Sequence, residues 1–400
     1  MNTHLHMNNL RTIPINPHID RPLGHHNPGK IKRPIGDPVS PPKPNPRFIL
    51  PPSTNLQNLS LDLDIIIPSK TKTVIDTDSL VFHAVGDTGG IHGDDVEKAI
   101  EKAMDQQISA PGDNKLVPIF YYNLGDVVYF NGQSSLYTSQ FYEPYQSYHA
   151  PIFAIPGNHD GDNHTRPGDP VDTEPSLFGF MRNFCDSVSR HDSPYRPTMT
   201  QPYVYWTLNM PFATIIGLYS NVDGTLDARG TSEQQQWFEQ QVQSAPEDKA
   251  LIIAVHHPPY SLDTEHGGYP DIGIAIDRVI HDTGRIPTIV LSGHVHSYQR
   301  FERDIGVKKT VPYIVAGAGG YANTPKLLHK IESDENGQRL QPGYQTTRSD
   351  LKLMSYNDQE PGFLRITLDN KKKTLTSDYF LVPFNENPSE TSFDTVTIPW

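Results

Sequence analysis

Five short apolar runs, each ending in a polar turn, constrain what this chain can fold into more than any other feature. Val81 to Val85 runs into Gly86-Asp87-Thr88-Gly89-Gly90, Ile119 to Leu124 into Gly125-Asp126-Val127-Val128-Tyr129, and Pro151 to Ile155 into Pro156-Gly157-Asn158-His159-Asp160. Leu251 to Val255 ends in His256-His257-Pro258-Pro259, and Thr288 to Leu291 leads to Gly293-His294-Val295-His296. Runs of this length bounded by Gly or Pro suit buried strands. The polar residues behind them then emerge at strand C-terminal ends, where open α/β sheets keep their sites. One such turn reads as a Pro-Gly bend with incidental polar residues. Five of them gather two carboxylates, a phenol, an amide oxygen and several imidazoles.

The intervening stretches supply the rest of an α/β layer structure. A helix over Asp94 to Gln107 sets Val96, Ile100 and Met104 on one face, and a Gln-rich helix over Thr231 to Ser244 does the same with Trp237, Phe238 and Val242. A further helix falls near Ile272 to His281. Tyr203 to Leu208 and Phe212 to Leu218, split by Asn209-Met210-Pro211, predict a hairpin, and strands at Pro312 to Ala316, Phe363 to Leu368 and Thr374 to Phe380 close the domain. Gly161 to Pro202, rich in Gly, Asp and Pro, reads as a large loop beside the site with one helix around Ser176 to Ser189. His164 and Arg166 fall there as solvated loop residues. Residues 76–400 form one catalytic-sized domain. Before it, residues 1–75 read as a Pro-rich, largely irregular extension with too little apolar surface to offset its ordering entropy, except that Leu61 to Ile67 suits an added strand.

Charge and cysteine content narrow the function. A formal charge of -13 argues against general nucleic-acid or anionic-membrane binding. Residues 1–50 carry seven Lys or Arg against two Asp, so the body is more acidic than the total suggests. Such a body repels anionic substrates unless bound multivalent cations reverse the local field. The single cysteine, Cys185, excludes an intramolecular disulfide and a cysteine zinc cage, and reads as a packed thiol on an amphipathic helix. No apolar run approaches the roughly 18 residues of a membrane span, and no segment of signal-peptide character opens the chain, so cytoplasmic is the default expectation. Hard oxygen donors mixed with imidazoles favour two transition metals over calcium.

In order and spacing the five blocks resemble the calcineurin-like metallophosphoesterase superfamily, and within it the purple acid phosphatase branch: GDxG, GDxxY, GNH followed by an acid, a strand-end His, and GHxH. The branch rests on two positions. Gly89 stands where the wider superfamily usually has a histidine ligand, and Tyr129 can supply the missing donor; the alternative is an ordinary aromatic packed beside the site. The resemblance implies an αββα sandwich of two mixed β-sheets flanked by helices. It implies Asp87, Tyr129 and His296 on a first, ferric ion, Asn158, His256 and His294 on a second, divalent ion (Fe, Zn or Mn), and Asp126 as the bridge. His256 is preferred to His257 because it follows Val255 and keeps a His-x-Pro pattern with Pro258.

It further implies a phosphomonoesterase in which a metal-bridged hydroxide attacks phosphorus in line. His159 fits the non-ligand histidine that protonates the leaving alcohol, with Asp160 either orienting its ring or capping the next turn. His266 is either a second such histidine or a solvated loop residue, and His164 and His281 match no block. Two rivals share the motifs: a phosphodiesterase acting on cyclic nucleotides or phospholipids, and a non-catalytic binding module on the same fold.

Overall fold

The computed structural model describes residues 59–111, 116–163, 174–226, 233–306, 309–384, 387–388 and 392–400. The N-terminal stretch 1–58, together with His164 and Arg166, lies outside the described residues. Along the chain the strands are β1 (Ser60–Asp62), β2 (Ser79–Val85), β3 (Tyr121–Asn123), β4 (Ile152–Ala154), β5 (Trp206–Asn209), β6 (Ala213–Leu218), β7 (Ala250–Val255) and β8 (Ile289–Ser292). Then come β9 (Tyr298–Asp304), β10 (Thr310–Ala316), β11 (Tyr344–Gln345), β12 (Leu351–Asn357), β13 (Gly362–Asp369), β14 (Thr374–Leu381) and β15 (Asp394–Pro399). The α-helices are α1 (Leu63–Ile66), α2 (Pro68–Thr77), α3 (Asp95–Ser109), α4 (Asn158–Gly161), α5 (Phe178–Phe184), α6 (Glu233–Ser244) and α7 (Pro270–Thr283).

These strands build two mixed sheets, in the orders β1-β5-β6-β7-β8-β10-β9-β12-β11 and β15-β14-β13-β2-β3-β4. The runs singled out by the sequence pair in parallel: β2, β3 and β4 are adjacent in one sheet, and β7 and β8 in the other. Each is buried along its whole length or nearly so, which is why it reads as continuous apolar sequence rather than as alternation. The sheets meet face to face over one hydrophobic core: Tyr122 of β3 stacks on Trp206 of β5 at 6.0 Å, and the Trp206 indole donates to the Ala154 carbonyl at 3.1 Å. Helix α3 turns Val96, Ile100, Ala103 and Met104 inward, and α6 and α7 pack against each other through their apolar faces. The expected two-sheet α/β sandwich is therefore present.

Three local expectations change. The span Leu61 to Ile67 pairs only as far as Asp62, parallel to β5, and continues as α1 and α2, so residues 60–75 are regular rather than irregular. Pro68 suits the first turn of α2, where its missing N–H is no loss. The helix expected over Ser176 to Ser189 is only α5, because the amides of Met199 and Gln201 take the carbonyls of Asn183 and Phe184 and pull the chain back across its end. Cys185 follows that end, half-buried against the core, as a packed thiol but not on the helix itself. His281 lies on the outer surface of α7 beside Asp282.

Candidate metal centre

The turns after β2, β3, β4, β7 and β8 meet at one edge of the sandwich because their strands are parallel and end together. Backbone bonds lock the turns to one another: Asp87 N donates to Gly125 O at 2.8 Å, Thr88 N to Asp126 O at 3.2 Å, and Gly293 N to His256 O at 3.0 Å. Gly125, at φ 100°, lies so close to the next turn that a Cβ there would sit 2.6 Å from His256 Nδ1 and 2.7 Å from Gly157 N. Asp87, Asp126 and His294 are themselves left-handed, at φ 58°, 54° and 66°. Non-glycine residues in that region cost on the order of 1–3 kcal/mol each and concentrate at functional sites.

Two donor groups result. His256 Nε2 stands 3.1 Å from Asn158 Oδ1 and 3.3 Å from Asp126 Oδ2, and one donor atom each from Asp126, His256 and His294 falls within 4.8 Å of the others. Beside it, Asp87 Oδ1 stands 3.2 Å from the Tyr129 hydroxyl, 3.5 Å from His296 Nε2 and 4.0 Å from His256 Nε2, and the Tyr129 hydroxyl is 3.3 Å from His296 Nε2. All seven residues expected as ligands thus come together. Donor tautomers are set from behind: His256 Nδ1–H donates to Leu124 O at 2.8 Å, freeing Nε2. His294 has the Tyr269 hydroxyl 2.7 Å from Nε2, which leaves Nδ1 toward Asn158 Oδ1 at 2.8 Å.

The electrostatics suit cations. Burial, reinforced by neighbouring imidazoles, pushes His294 far below its usual pKa and His296 down to about 3, so both are neutral and able to ligate. Burial pushes Asp87 up to about 8. For Asp126 burial acts in the same upward direction, but the His256 and His159 rings overcome it and hold the carboxylate below its ordinary range. His256 responds in kind, held up at about 9 against its burial by Asp126 and Asp87. Burial and the two carboxylates keep the Tyr129 phenol well above 10. Without cations the cluster therefore holds protons where ligands need lone pairs. Oxygen-rich donors with one phenol, interleaved with imidazoles, fit a pair of transition ions.

The residues around the donors differ in part from expectation. His159 lines the cavity above the centre, its Nδ1–H donating to Phe130 O at 2.7 Å and its amide to Asp126 Oδ1 at 2.8 Å. Asp160 does not orient that ring. Its buried carboxylate accepts from Val127 N, Val128 N and Gly157 N, at 3.2, 3.2 and 2.8 Å, so the catalytic part in the sequence reading is replaced by the capping alternative. His266 is exposed at the rim, 4.5 Å ring to ring from His294, and its amide donates to Asp263. His257, set aside as structural, is buried with Nδ1 2.7 Å from Ser220 Oγ.

Sequence reasoning missed Tyr269, Tyr321 and His329, each in contact with a donor ring: Tyr269 with His294, Tyr321 with Tyr129 and His296, and His329 with His296. Tyr321 lies in a turn of the same kind, behind Gly317, Gly319 and Gly320 after β10, which runs parallel to β8, so the signal that found the donors could have found it. Tyr269 and His329 stand in loops away from any strand end, and that signal could not find them. The cavity, about 350 Å³, is lined by the apolar or aromatic Phe130, Tyr321, Leu327 and Leu328 together with the polar Glu265, His266, Lys326 and His329.

Residues 80–298, more than half of the chain, match the family model described as calcineurin-like phosphoesterase. The chain belongs to the calcineurin-like phosphoesterase family. Relatives of this family point to its acid phosphatase branch. Human tartrate-resistant acid phosphatase type 5 is 24% identical over 319 residues, covering 75% of this chain and 87% of its own. A probable glycerophosphodiester phosphodiesterase, GpdQ, of Arcobacter nitrofigilis is 28% identical over 169 residues, 42% of this chain and 52% of its own. Among solved structures, purple acid phosphatase PPD1 from yellow lupin seeds superposes with a TM-score of 0.56 at 16% identity, over 80% of this chain and 53% of that one, and so agrees in fold. This family member is purple acid phosphatase-like, and the enzyme class that follows is a metal-dependent phosphatase. No described helix is long and apolar enough to cross a membrane.

Proposed function

We propose that this protein hydrolyses phosphomonoesters of small molecules at a dinuclear centre, with Asp87, Tyr129 and His296 on a ferric ion, Asn158, His256 and His294 on a divalent Fe, Zn or Mn, and Asp126 between them. The observation that carries it is the convergence of Asp126, His256 and His294 within 4.8 Å, with Asp87, Tyr129 and His296 alongside. Bound there, two cations supply Lewis acidity toward phosphate oxygens and acidify a water from a pKa of about 15.7 to about 7. The residues do the rest. Asp126 links the two donor groups, and the Leu124 carbonyl and Tyr269 hydroxyl hold the His256 and His294 rings in register. His159, fixed through Nδ1 to Phe130 O, keeps Nε2 for the leaving oxygen and acts as general acid; His266 at the rim contacts phosphate or substitutes for it. The apolar residues of the cavity lining, Phe130, Leu327 and Leu328, take the alcohol portion and exclude water from it.

Elemental analysis with a visible spectrum tests this directly. Two metal equivalents with a phenolate-to-iron band are expected, together with faster turnover of p-nitrophenyl phosphate than of its bis ester. Asp126→Asn loses metal and turnover together. A wild-type protein without metal, or an Asp126→Asn variant with full activity, sinks the assignment. The GpdQ relative favours a diesterase as the second reading, and preference for the bis ester would select it.

A further inference from the structure

A histidine that binds a metal through one ring nitrogen commonly donates from the other to a carboxylate or carbonyl, which fixes the ring. His256 follows this pattern through Leu124 O. His296 does not: its Nδ1 is buried and, among the described residues, has no hydrogen-bond partner, while Nε2 faces Asp87 and Tyr129. Something else must hold that ring toward the first donor group.

His329 touches His296 in three ways. The His296 amide donates to His329 Nδ1 at 3.1 Å, the His329 amide donates back to His296 O at 3.0 Å, and the two rings stack at 4.3 Å and 24°. Because Nδ1 accepts from an amide, its lone pair is engaged and His329 is not a ligand through that atom. His329 itself is pinned from both sides. Leu328 is buried in a small apolar cluster with Ala318 and Ala322; the Lys330 carbonyl accepts from Thr264 N at 2.9 Å, Ile331 N donates to Asp358 Oδ2 at 2.9 Å, and Glu332 N donates to Leu262 O at 2.9 Å. The same loop holds Asp263, whose buried carboxylate organises the amides of Glu265, His266 and Gly267 and lies 3.9 Å from His329 Nδ1.

We propose that His329 is a positioning residue for the metal centre: clamped by the 262–264 and 358 segments, it fixes the backbone and ring plane of His296 in place of the missing Nδ1 partner. The inference rests on the dinuclear reading above. It deepens that reading by assigning a residue that lies outside all five strand-end turns.

The test uses full-length protein loaded with iron and zinc, with metal content and chelator competition as readouts beside activity. Wild type is expected to hold two equivalents. His329→Ala should keep one tightly and lose affinity for the other by about 10–100-fold, with fading of the phenolate-to-iron band. His329→Asn places Oδ1 where Nδ1 was, so it should recover most of that affinity. Thermal melts of the metal-free variants check that each is folded. Wild-type affinity at both sites in a folded His329→Ala, or equal loss in the Ala and Asn variants, overturns the inference alone. Absence of metal from wild type overturns the functional reading and this inference with it.

Discussion

The proposed mechanism needs a proton donor, and the surroundings of His159 say which of its atoms would carry the proton. The ring donates from Nδ1 to the Phe130 carbonyl and packs 4.5 Å from the Tyr129 ring, while its own amide bonds the Asp126 carboxylate. The Phe130 carbonyl, which belongs to no proposed ligand, fixes the ring whether or not cations are bound. Replacing His159 with alanine should leave both metal equivalents in place. It should slow esters of poorly leaving alkyl alcohols by about 10²-fold, within the 10²–10⁴ usual for general acid catalysis, while barely affecting p-nitrophenyl phosphate, whose leaving group needs no proton. Elemental analysis and a leaving-group series check this; a uniform slowing across the series would assign His159 to binding instead.

Asp160 belongs to the scale of elements, because it ties two turns together rather than serving one side chain. Three amides, two after β3 and one after β4, converge on its carboxylate. Burial pushes its pKa up to about 7 despite those donors, with the Asp126 charge acting in the same direction. Asp160→Ala leaves three buried amides unpaired at roughly 1–3 kcal/mol each, so unfolding in urea should show a loss of about 3 kcal/mol or more, with the His159 bond to Phe130 intact. A loss below about 0.5 kcal/mol would mean the turns hold without it. The same turn explains what the sequence could and could not disclose. The donors were legible because parallel buried strands spell uninterrupted apolar runs and a turn with several polar residues behind each run is conspicuous. Asp160 stayed open between two roles because a carboxylate next to a histidine gives no sign that its partners are amides 32 and 33 residues away. Strands β9, β12 and β15 were missed for a related reason. Tyr298–Asp304 buries Arg300 and Arg303, paired with Asp394 and Asp277, so its charges disguise a strand buried over most of its length.

At the scale of the whole molecule, buried titratable groups make the metal-free protein sensitive to pH in a direction that can be worked out. Burial raises Asp87 to about 8, Asp160 to about 7, Glu101 to about 7 and Glu332 to about 8. Each keeps a proton in the folded state that the unfolded chain has already released, so stability falls as pH rises from the ordinary carboxyl range to those values. His256, held up at about 9 by Asp126 and Asp87 against its burial, stabilises below 6.5 and loses that contribution as pH rises to about 9. Burial lowers His83 and His296 to about 3 and His294 and His257 well below 6.5; these stabilise above 6.5 and lose the contribution as pH falls. Below pH 6.5 the two sets oppose each other. Above it only the carboxyls and His256 still act, and self-repulsion of a chain with net charge -13 adds to them. Urea midpoints in chelator should therefore decline from about pH 6.5 to 9. Cations that displace the protons of Asp87 and His256 should flatten that decline and add about 4 kcal/mol at a metal concentration 1,000 times Kd. Midpoints that rise with pH in chelator, or that metal leaves unchanged, would show that the buried cluster is not the ionisable centre on which the fold's pH dependence turns.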